Sequence, residues 1–81
     1  MRMQDKRVEY GLSQSKLAEK AGVKMQVLQR YEIGFRKIDG ASLETLCNLA
    51  IALECGISDI IEDDVLREKF RKAIEKESTL K

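Results

Sequence analysis

Two segments of helical periodicity, GLSQSKLAEKA and KMQVLQRYEIG, meet at Gly22-Val23, and this junction constrains the chain more than any other feature. Ser13 is a good N-cap, and Leu12 before it with Leu17 after it form the N′ and N4 pair of a hydrophobic staple, so a helix starts at Gln14. Leu17, Ala18 and Ala21 make its inner face, and Gly22 supplies the left-handed turn that ends it. A second helix is expected from about Met25 to Ile33, with Val23, Leu28 and Tyr31 turned inward. Ala18 is small enough to let the second helix cross close to the first, while Val23, Leu28 and Tyr31 fill the angle between them. Gln26 and Arg30 then share the outer stripe of the second helix, flanked by Met25, Val27 and Gln29.

The remaining segments also read as helices. MRMQDKRVEYG places Met3, Arg7 and Tyr10 at i, i+4 and i+7 on one face of a helix that stops at Gly11, which aims Arg7 inward, where a charge needs a partner. FRKIDGA is a loop with a basic start. SLETLCNLAIALEC is a capped helix with Leu43, Leu46, Cys47, Ala50 and Leu53 on one stripe. Ser58 is expected to cap a short helix over SDIIEDD, whose Ile60 and Ile61 close the bottom of the core. VLREKFRKAIEKESTLK puts Leu66, Phe70, Ala73 and Ile74 on one face of a helix too short to stand alone in water. The fold class is therefore all-α, a bundle of short crossing helices with no strand needed anywhere. Residues 1–64 form one domain, and residues 65–81 a C-terminal helix and tail for packing or dimerisation.

Composition removes several classes of function. A chain of 81 residues buries only about 60% of the surface that its unfolded form exposes, which leaves nothing for a catalytic lobe. There is no histidine, so the commonest general base is missing along with every Ser/His/Asp or Cys/His arrangement, and no enzyme activity is expected. Two cysteines, Cys47 and Cys55, without histidine fall short of the usual four zinc ligands and read as reduced, half-buried thiols; no metal and no cofactor are expected. No apolar run approaches the roughly 18 residues of a membrane span, and the N-terminus lacks the apolar stretch of a signal peptide, so a cytoplasmic protein with no membrane partner is expected.

The net charge of +1 conceals a partition along the chain. Residues 1–37 carry nine Lys/Arg against four Asp/Glu, residues 38–66 no basic and seven acidic residues, and residues 67–81 six basic against three acidic. If those blocks face different ways, the basic side can meet an anionic polymer while the acidic side is held away.

With GLSQSKLAEKAGV, RYEIG and SLETLCNLAIALECGISDII in this order, residues 3 to 62 resemble the phage lambda repressor and Cro type of helix-turn-helix regulator, the XRE family. The resemblance implies a five-helix lambda-repressor-like DNA-binding domain with its third helix in the major groove, here followed by an additional C-terminal amphipathic helix. It implies base contacts from Met25, Gln26, Val27 and Arg30, the positions of the outer stripe. It implies phosphate contacts from Gln14 at the start of the second helix, from Lys24, and from Arg36 and Lys37 in the following loop. Lys24 stands where the family usually has a Ser or Thr cap. Arg7 and Glu32 match a structural ion pair of some phage repressors, which would answer the inward arginine.

The function so implied is a sequence-specific, double-stranded DNA-binding transcriptional regulator acting as a repressor, with a protein-interaction or antitoxin-like module as the alternative. A homodimer on a palindromic operator is expected, because two-fold symmetry is how one small module gains enough contacts. The stripe of Leu66, Phe70 and Ile74 either covers its own domain or pairs with the second chain. No small-molecule ligand is expected for want of a sensor domain, and no contacts are expected from an N-terminal arm.

Overall fold

The computed structural model describes residues 2–80, those of 78–80 by backbone alone; Lys81, the end of the expected C-terminal helix, lies outside the described residues. Among the described residues there are five α-helices and no strand: α1 (Arg2–Tyr10), α2 (Gln14–Ala21), α3 (Met25–Glu32), α4 (Leu43–Leu53) and α5 (Asp64–Leu80). Two 3-10 turns, Ile38–Gly40 and Ile57–Asp59, lie on either side of α4. The all-α fold is as expected.

Local chemistry sets the helix ends. Ser13 Oγ accepts from the Lys16 amide at 3.2 Å and Ser42 Oγ from the Thr45 amide at 3.1 Å, each satisfying one of the donors that a helix start leaves free. Gly22 ends α2 at φ 69°, where a side chain would be strained, and the turn lets the Val23 amide donate to Ala18 O at 2.9 Å. The core takes one fully buried side chain from almost every segment in turn: Met3, Leu17, Leu28, Ile38, Leu49 and Ile60. Each such side chain is worth roughly 1.5–3 kcal/mol of transfer free energy. α2 packs across both α3 and α4, which holds the helix-turn-helix pair on the rest of the bundle.

Four expectations about detail are corrected. Tyr10 is 41% exposed instead of sharing the inner face with Met3. Its hydroxyl is hydrogen-bonded to Glu54 and accepts from Lys20 Nζ at 3.1 Å, so the polar tip draws the ring to the surface. In α4 the buried face holds Leu46, Leu49, Ala50, Ala52 and Leu53, whereas Leu43, the first helical residue, overhangs the core edge at 67% exposure. FRKIDGA is more than a loop, since Ile38 enters the core at 1% exposure. Residues 58–64 do not form a helix capped by Ser58. Asp59 Oδ2 accepts from the Gly56 amide at 2.8 Å, and the Asp39 carboxylate accepts from the Glu62 amide at 2.7 Å and the Asp63 amide at 2.9 Å. Side chains thus satisfy the amides that a helix would have used, while Ile60 and Ile61 still close the core.

Asp63 in turn caps α5, its Oδ1 accepting from the Val65 and Leu66 amides at 2.8 and 3.1 Å. Asp39 therefore ties the segment after α3 to the base of α5. Asp39→Ala is expected to lower stability by about 1 to 2 kcal/mol in urea unfolding and to speed hydrogen exchange at the Glu62 and Asp63 amides. Unchanged exchange there would mean that Asp39 anchors nothing.

α5 buries no described side chain fully. It meets the 3-10 turn Ile57–Asp59, and Leu66 and Ile74 remain 39% and 45% exposed. Phe70, between them on the stripe, is half-buried.

Candidate nucleic-acid interface

α3 is held from within and offered outward. Leu28 is fully buried and Tyr31 is 8% exposed, while Gln26 and Arg30 lie exposed on the opposite side. Met25 is 42% exposed. Val27 is half-buried and packs against the core, so it contributes less to the outer stripe than Met25, Gln26 and Arg30 do. Ile33, 76% exposed, continues the Gln26–Arg30 stripe by one more turn, and Phe35 beside it is 74% exposed. Neither was among the residues expected at the site, although Ile33 at i+7 from Gln26 is legible on the same helical face.

The two ends of α3 are treated differently. At its N-terminus Lys24 occupies the cap position in extended conformation and makes no side-chain cap bond. At its C-terminus an ion-pair network fixes it. Arg7 Nε donates to Glu32 Oε2 at 2.9 Å and Arg7 Nη2 to Glu32 Oε1 at 3.0 Å, a bidentate pair, while Nη1 donates to Leu12 O at 2.8 Å. The side chains of Arg7 and Glu32 are 12% and 2% exposed. Gln14 Nε2 also donates to Glu32 Oε1 at 3.2 Å. α1, the start of α2 and the end of α3 are thereby joined, which sets the angle between α2 and α3. Gln14 spends one amide hydrogen on Glu32 and keeps the other.

Beyond α3 the loop is pinned at both sides of its two cations. The Arg36 amide donates to Arg30 O at 3.1 Å, and Ile38 is anchored in the core, so Arg36 and Lys37 stand exposed on a short, fixed span. Gln14, Lys24, Arg30, Arg36 and Lys37 thus border α3, and the acidic Glu62, Asp63 and Asp64 lie at the base of α5.

The sequence of residues 3–60 matches the family model described as helix-turn-helix. The chain belongs to that family, in its lambda repressor and Cro type. As a helix-turn-helix protein it is a DNA-binding regulator. No curated protein and no solved structure matches it.

In this helix-turn-helix protein the unusual cap has a measurable consequence. Lys24→Ser is expected to raise stability by about 1 kcal/mol in urea unfolding, because Ser accepts from an amide of the first turn of α3 and Lys does not. Elsewhere, among the described residues, no group of His, Cys, Asp and Glu is placed to hold a metal ion. Burial, and after it the Asp59 carboxylate, push the Cys55 thiol above its ordinary value against the opposing pull of Lys6. No helix among the described residues is long and apolar enough to cross a membrane.

Proposed function

We propose that this helix-turn-helix protein reads a specific double-stranded DNA sequence with α3 in the major groove and represses transcription by occupying its operator as a homodimer. The observation that carries this reading is the pairing of an exposed Gln26–Arg30 stripe with a buried Leu28–Tyr31 anchor on one helix. Arg30 donates a bidentate pair to guanine O6 and N7, and Gln26 pairs with adenine N6 and N7. Met25, and Val27 as far as its burial allows, touch thymine methyl groups. Gln14, with its remaining amide hydrogen, Lys24, Arg36 and Lys37 hold phosphates, which sets affinity and register rather than sequence choice. Lys24 then gains from a phosphate oxygen the partner that it lacks as a cap. Repression by occupancy needs no further apparatus, and a palindromic operator follows from the two-fold symmetry of a dimer.

Fluorescence titration with a selected duplex at two salt concentrations tests the reading. Salt-dependent binding with at least about 10³-fold preference for one sequence is expected. Lys37→Ala should weaken binding to every duplex alike and reduce the salt slope by about one. Uniformly weak binding to all duplexes would contradict DNA reading and favour the second possibility, a module whose main partner is a protein. The observation on that side is the exposed apolar pair Ile33 and Phe35 beside the stripe.

A further inference from the structure

Arg36 and Lys37 stand exposed, and among the described residues no ion pair or side-chain hydrogen bond holds either of them. Where their charges stand is therefore decided by the backbone that carries them. That span is short and fixed at two points, the Arg36 amide on Arg30 O and the buried Ile38. Two such points leave a chain free to turn about the line between them. A third point off that line stops the rotation.

Asp39 supplies that point. Lys37 is the N-cap of the 3-10 turn Ile38–Gly40, and the Gly40 amide donates to Lys37 O at 3.1 Å. Asp39 lies inside this turn, half-buried, and its two carboxylate oxygens accept from the Glu62 and Asp63 amides, one each, at 2.7 and 2.9 Å. Bonds to two successive amides fix the rotation of the carboxylate as well as its position, which a single bond would not do. Arg36, Lys37, Asp39, Glu62 and Asp63 line one cavity, so the cations share it with three carboxylates. No ion pair joins Asp39 to either cation. An acid set beside two cations that await phosphate repels the same anion, which is a cost to binding. What Asp39 offers against that cost is its fork onto the segment before α5.

We propose that Asp39 is a positioning residue for DNA binding. Through its paired bonds to the Glu62 and Asp63 amides it fixes the backbone from which Arg36 and Lys37 reach the phosphates, without touching the nucleic acid itself. This rests on the phosphate contacts of the proposed function. Charge and geometry give opposite signs for the loss of this acid. An acidic bystander, once neutralised, no longer repels phosphate, and DNA binds more tightly. A positioning residue, once removed, releases the two cations, and binding weakens.

Asp39→Asn and Asp39→Ala, each checked for retained helical circular dichroism, are compared with wild type by fluorescence titration on a selected duplex over a salt series. Both remove the same charge, but Asn keeps one acceptor oxygen for one of the two amides and Ala keeps none. Affinity should fall in the order wild type, Asn, Ala, with Ala at least about fivefold weaker than wild type and its salt slope lower by about one. In a chain that already carries Arg36→Ala and Lys37→Ala, Asp39→Ala should bring no further weakening. Glu62→Gln, the same loss of charge in the same cavity with its amide left on Asp39, should bind as wild type does or more tightly. Without DNA, backbone order parameters at the Arg36 and Lys37 amides should fall from about 0.85 toward 0.6 in Asp39→Ala. Asp39 variants that bind as tightly as wild type or more tightly overturn the proposal, and so do unchanged order parameters. Weakening by Glu62→Gln equal to that by Asp39→Asn overturns it as well. A wild type that binds no duplex contradicts the reading of DNA instead, and the order parameters still decide whether Asp39 fixes the span.

Discussion

Arg7→Ala is expected to destabilise the domain by about 3 to 5 kcal/mol, the cost of leaving one partner of a buried ion pair behind. The size rests on Glu32, whose side chain is 2% exposed and would keep only the Gln14 amide as a donor. Against a total stability of about 5 to 15 kcal/mol this is a large share, and it should lower Tm by at least about 12 °C in a calorimetric scan. Removing both charges is a different experiment. Arg7→Met combined with Glu32→Leu should recover most of the loss, because two apolar groups leave no charge to desolvate. If the single replacements cost little and simply add, the pair contributes no more than a surface ion pair does. Because the network joins α1, α2 and the end of α3, Arg7→Ala should also weaken binding to all duplexes, through a loosened angle between the two helices.

Arg30→Ala is expected to act on choice rather than on stability. Arg30 is exposed, so unfolding should be nearly unchanged, whereas preference at one base pair should relax by about 1 to 3 kcal/mol, roughly 5- to 150-fold. Lys37→Ala makes the contrast, since a phosphate contact carries no sequence information.

What was legible in the sequence was whatever is decided within a few residues. Ser13 and Ser42 cap the helices that follow them, Gly22 takes the left-handed turn, and Leu28 and Tyr31 face inward because their spacing leaves no other choice. The inward aim of Arg7 could be read from its place beside Met3, but Glu32 as its partner came from resemblance to a family. Long-range bonds account for most of what was missed. Glu54 adopts φ 53°, costly for a residue with a side chain, where its carboxylate is hydrogen-bonded to Tyr10, far away in sequence. Asp39 takes two amides from the segment before α5, and nothing near FRKIDGA announces that bond. Leu43 was misplaced for a related reason: an apolar residue at the first position of a helix overhangs whatever the middle of that helix covers. In the candidate site the periodicity of α3 separated the exposed Gln26 and Arg30 from the buried Leu28 and Tyr31. It also put Val27 at the flank of that stripe, where it is half-buried, and Ile33 on the face of Gln26, where it is exposed, without giving Ile33 a contact.

Whether the outer stripe of α3 reads bases is decided by selecting bound sequences from a random duplex pool with wild type, Gln26→Ala and Arg30→Ala in parallel. Wild type should yield a two-fold symmetric consensus. Arg30→Ala should lose preference at one guanine position per half-site and Gln26→Ala at one adenine position, with the remaining positions kept. Identical consensus sequences from all three chains, or no consensus from wild type, would contradict base reading by that stripe.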